Sequence, residues 1–68
     1  MDAQSREARL RYWAALNDHA YEAHGTDAGI AARNMANRVA DELGDFTEAD
    51  WGVIRNAQRA YAREAESA

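Results

Sequence analysis

Cysteine, proline and lysine are all missing from this chain of 68 residues, and large apolar side chains are scarce. Without cysteine there is no disulfide and no thiolate metal site. Without lysine, all eight basic residues are arginine. No apolar run approaches the roughly 20 residues needed to cross a bilayer, and no signal peptide is evident, so a cytoplasmic protein is expected. Hydrophobic residues make up 47% of the chain, but alanine supplies 17 of them, leaving 15 larger apolar or aromatic side chains. One domain at most fits this length. Its core is thin, and at this size apolar burial roughly cancels ordering entropy, so a partner or a second copy is a natural source of further burial.

Twelve acids against eight arginines give a net charge of −4, which repels free DNA and anionic membranes unless the charges are segregated. They are clustered. Asp41, Glu42, Asp45, Glu48 and Asp50 fall close together, while Arg6, Arg9 and Arg11 lie near the start and Arg55, Arg59 and Arg63 near the end.

Three helices are expected, over about residues 3–24, 27–43 and 47–65, with no competing strand pattern. In the first, Leu10, Trp13, Asn17, Ala20, Tyr21 and His24 recur at helical spacing and predict one inward face. Gly25 fits the C′ position, and Thr26 or Asp27 can cap the second helix. There Ala28, Ala32, Ala36 and Ala40 form a row of small residues that lets another helix approach closely, flanked by Met35, Val39 and Leu43. Leu43-Gly44 is a second stop signal. The third helix opens on Phe46-Thr47-Glu48-Ala49-Asp50-Trp51. Thr47 and Asp50 are placed for a capping box, and Phe46 and Trp51 for a hydrophobic staple. From there Trp51, Ile54, Gln58, Tyr61 and Ala65 predict the inward face, with both tryptophans largely buried and the chain fraying after about Glu64.

The short connections favour antiparallel neighbours, and the fold expected is all-α, a small three-helix up-down-up bundle that dimerisation could complete. That topology brings the first-helix arginines to the acidic 41–50 end. It brings Arg59 and Arg63 to the end holding Asp18, Glu22 and Asp27.

Catalytic chemistry finds no footing, and no enzyme activity and no cofactor are expected. There is no cysteine nucleophile, and Ser5 and Ser67 lie at the chain ends. His19 and His24 are five apart and point about 140° from one another on a helix, so they cannot share a metal as an i, i+4 pair could. Asp41 and Glu42 are adjacent and do not face each other. Gly29 and Gly44 are isolated and form no phosphate loop.

Two functional readings remain. Val39-Ala40-Asp41-Glu42-Leu43-Gly44 resembles the first helix and turn of helix-turn-helix repressors, which often read Ala-x-x-Leu-Gly. The resemblance implies a dimeric DNA-binding regulator using residues 39–63. Against it, Asp45 stands where that motif takes an aliphatic residue, and Glu48 and Asp50 open the helix that would meet DNA. The preferred reading is a small acidic module that binds another protein, one with a basic groove, while nucleic acid and membrane are not expected as partners. In size, charge and lack of catalytic residues the chain is similar to small inhibitors encoded by phages and mobile elements, anti-CRISPR proteins among them. Candidate contact residues are Tyr12, Leu16, His19 and Ile30, which fall off the predicted inward faces, and Asp41, Glu42, Asp45, Glu48 and Asp50.

Overall fold

Helical periodicity and end signals place three helices in this chain, and the computed structural model has them as α1 (Ala3–Glu22), α2 (Asp27–Leu43) and α3 (Glu48–Ser67). It describes residues 3–67, with side-chain burial described for residues 5–64. Gly25 and Gly44 end the first two helices with positive φ of 84° and 75°, and the Gly44 N–H donates to the Ala40 carbonyl at 3.0 Å. Thr26 caps α2: its hydroxyl accepts from the Gly29 N–H at 3.1 Å and donates to the Ala23 carbonyl at 2.6 Å, tying the turn to the end of α1. At α3 the capping box forms as the sequence predicts. The Asp50 N–H donates to Thr47 Oγ1 at 3.2 Å, and the Thr47 N–H donates to Asp50 Oδ2 at 2.8 Å.

The helices form an all-α three-helix bundle with α1 as its spine. α2 runs antiparallel along α1, with Arg9 against Glu42 at one end and Gly29 against Ala23 at the other. A Cβ at Gly29 would lie 2.3 Å from the Ala23 carbonyl oxygen, so the close approach falls at Gly29; of the alanine row, Ala32 and Ala36 are buried, Ala40 is half-buried and Ala28 is exposed. α3 packs mainly against α1, and its Ile54 joins Val39 and Leu43 of α2 in the core. Among the described residues no α2 Cα comes within 8 Å of an α3 Cα. Asp50 meets Arg6, and the Tyr61 hydroxyl donates to the Arg11 carbonyl at 3.3 Å. Both contacts advance in the same sense along the two helices, so α3 runs in the same direction as α1. The ion pairs expected between Arg59 and Arg63 and the end holding Asp18, Glu22 and Asp27 are not made among the described residues.

Leu10, Ala14, Val39, Leu43 and Ile54 form the buried core, with Trp13, Leu16, Phe46, Val53, Ala57 and Tyr61 packed around it. Four of the eight buried hydrophobic residues among those described are alanine, so burial rests on Leu10, Val39, Leu43 and Ile54, each contributing roughly 1.5–3 kcal/mol.

The observed burial corrects several assigned faces. Trp51 is 42% exposed, although the sequence pattern predicts it buried, and Gln58 is exposed. Tyr21 and His24 are exposed because α3 leaves the C-terminal half of α1 uncovered. Trp13 is half-buried. The predicted inward position of the Ala65 side chain lies outside the described residues. Trp13, Phe46 and Trp51 make a triangle of edge-to-face contacts with centroids 5.1, 5.2 and 6.1 Å apart, which includes the expected Phe46–Trp51 staple. Gly52 has neither a positive φ nor a close neighbour; a Cβ there would meet nothing within 4 Å. Glycine at such a helix-interior position costs about 0.5–1 kcal/mol relative to alanine.

Candidate functional site

Spacing along α1 sets what this molecule displays. Leu10 and Ala14 face the core shared with Ile54 of α3. Tyr12 lies about 160° around the helix from each of them, so it emerges on the side of α1 away from α3. Leu16 and His19 follow it at i+4 and i+7. The structure divides this stripe. Leu16 is half-buried and packs against the core, while Tyr12, at 44% exposed, and His19 face solvent. The α1–α2 register set by Arg9–Glu42 and Ala23–Gly29 brings Met35 level with Leu16. Met35 is itself exposed. Tyr12, Leu16, His19 and Met35 thus share the face of the α1–α2 hairpin that α3 leaves bare. The 3.0 Å Arg9–Glu42 ion pair lies at its rim.

Ile30 is exposed but belongs elsewhere. It sits about 140° around α2 from Met35 and lines an open groove of about 300 Å³ with Ala20, His24, Gly29, Arg33 and Asn34. The structure therefore does not bring Ile30 together with Tyr12 and Leu16.

The acidic segment is also divided. Asp41, Glu42, Asp45 and Glu48 are exposed where α2 ends and α3 begins. Asp50, predicted to belong to that surface, is only 5% exposed. Arg6 holds it with two charge-assisted bonds, Nε to Oδ1 at 3.1 Å and Nη2 to Oδ2 at 2.7 Å. Together the Arg6 guanidinium and the Thr47 backbone N–H hold the Asp50 carboxyl well below the usual aspartate range. Arg6 also donates to the Leu43 carbonyl at 2.8 Å, at the negative end of the α2 dipole, and to the Asp45 carbonyl at 3.2 Å. One α1 side chain thereby fixes the end of α2, the connecting loop and the start of α3. Asp50 is structural, and the accessible acids are the other four.

Sequence reasoning missed Met35 and the part played by Arg6. The signal for Arg6 was present: it precedes Leu10, Trp13 and Asn17 by four, seven and eleven residues, which puts its charge on the inward stripe. Met35 follows from the register, which needs both ends of the hairpin to be known.

Among the described residues, no group of three or more histidines and acids is placed to hold a metal ion, and no helix is long and apolar enough to cross a membrane. Comparison of the chain with protein-family models, with curated proteins and with solved structures gives no match.

Proposed function

We propose that this protein is a non-enzymatic module that works by docking on another protein, with the bare face of the α1–α2 hairpin as its apolar contact and the acidic end as its steering surface. The observation that carries this reading is the pairing of exposed Tyr12 and Met35 on one face beside the exposed acids Asp41, Glu42, Asp45 and Glu48. A tyrosine covers a large area at the cost of fixing two χ angles, and a methionine adapts to an irregular partner. Asp41, Asp45 and Glu48, which make no ion pair among the described residues, raise the encounter rate with a basic surface. The partner that fits is a cytoplasmic protein with a basic groove, such as a nucleic-acid channel, which the module would block. A small acidic inhibitor of the phage or mobile-element type has this logic.

The helix-turn-helix alternative is the second reading: Asp45 follows the turn and Glu48 opens the helix that would meet DNA, which disfavours a phosphate contact there.

The test is affinity capture with tagged protein, followed by binding kinetics on what is captured. Tyr12→Ser should weaken binding by about tenfold or more with the helical signal unchanged. Asp41→Lys and Asp45→Lys should lower the on-rate, as should added salt. Retention on duplex DNA at low salt, with no protein captured, would sink the proposal in favour of the regulator reading.

A further inference from the structure

The outward face of α3 takes no part in the fold, yet its charges are ordered. Glu48, Gly52, Arg55, Arg59 and Arg63 share that face, with Trp51 on its flank, and all except the half-buried Gly52 are exposed. Acid stands at the N-terminal end, beside Asp45, and three arginines follow. Among the described residues the ion pairs join Arg6, Arg9 and Arg11 to acids, whereas Arg55, Arg59 and Arg63 have none; Arg59 donates to the Asn56 side chain. Arginines at i, i+4 and i+8 repel one another on an isolated helix. From Glu48 to Arg63 this face runs from acid to base, and that stretch is complementary to itself when a second copy lies antiparallel on it.

Gly52 gives the place where the two copies would cross. Gly25 and Gly44 end helices and Gly29 makes room for Ala23, but nothing among the described residues requires glycine at position 52, where a Cβ would meet nothing within 4 Å. A glycine that weakens its own helix and faces outward is suited to close approach by another backbone.

We infer that the protein self-associates through α3, two copies packing antiparallel about a two-fold axis near Gly52. A two-fold contact uses the same patch twice, so each pairing occurs in duplicate. With the axis at Gly52, Glu48 lies across from the partner's Arg55 and the partner's Arg59, and Asp45 approaches the partner's Arg59. The half-exposed Trp51 indole reaches the partner's Arg55, where a guanidinium can lie on its ring. A parallel arrangement would set the arginines of the two copies against each other. The contact leaves the Tyr12–Met35 face free on both copies but takes up Asp45 and Glu48, so in the dimer the acidic steering surface proposed above reduces to Asp41 and Glu42.

Sedimentation equilibrium and light scattering on the full chain test this. The expected result is a monomer–dimer equilibrium that weakens with added salt. Gly52→Leu should raise helicity and weaken the dimer by about tenfold or more, because the side chain holds the backbones apart. Arg59→Glu should weaken it similarly, and adding Glu48→Arg to that variant should restore most of the loss, since the swap rebuilds the pair in the opposite sense. A chain that stays monomeric up to about 1 mM overturns the inference. So does a dimer that neither Gly52→Leu nor Arg59→Glu disturbs.

Discussion

A methyl group at position 29 would sit 2.3 Å from the Ala23 carbonyl oxygen, closer than packed atoms tolerate. Glycine to alanine usually stabilises a helix interior by roughly 0.5–1 kcal/mol. Here the clash is with backbone and cannot be relieved by a rotamer change, so Gly29→Ala should destabilise by about 1–3 kcal/mol, read as a fall in the urea midpoint. Thr47→Ala removes the acceptor for the Asp50 N–H and should cost roughly 0.5–2 kcal/mol in the same measurement. The two residues differ in how far the sequence reveals them. Thr47 announces itself, because a capping box is a local pattern with local partners. Gly29 does not, because its partner lies across a turn and only the α1–α2 register brings it close.

At the scale of the element, caps and stops in the sequence locate the helices, and the faces depend on what lies opposite. The expected inward face of α3 held Trp51 and Gln58 with Ile54 and Tyr61. The observed face holds Asp50 and Ala57 with Ile54 and Tyr61, a rotation of about half a residue. Counting Asp50 as a surface acid produced that error. Once Arg6 is seen to draw the carboxylate inward, the helix must turn to follow, and Trp51 moves to the edge of the core. Two substitutions separate the faces. Ile54→Ala, at a side chain 1% exposed, should cost about 2–5 kcal/mol. Gln58→Ala, one turn on at an exposed position, should stay within about 0.5 kcal/mol of the parent. Equal losses at the two sites would restore the face expected from the pattern.

For the molecule as a whole, the three-helix plan and the meeting of first-helix arginines with the 41–50 segment were legible, since short turns and charge order demand them. The facing of α3 was not, because it depends on groups far from Arg6 in sequence, at Leu43, Asp45 and Asp50, converging on its guanidinium. That convergence gives the fold a pH dependence. Asp50 is paired and hydrogen-bonded only in the folded chain, and there Arg6 and the Thr47 N–H depress its pKa; unfolded, it returns to about 3.9. Above about pH 5 both states are ionised and the stabilising contribution is complete. As the pH falls through the ordinary aspartate range, the unfolded chain takes up a proton that the folded chain still refuses, so stability declines. The decline continues until the folded carboxylate is itself protonated, at a pH below the range where unfolding is easily measured. Asp50→Asn keeps the side chain's shape but carries no titrating group. It should therefore lower the thermal midpoint at pH 7, and the gap from the parent should shrink steadily between about pH 5 and pH 2. A gap that stays constant over that range would mean that the Arg6–Asp50 pair does not hold the three helices together.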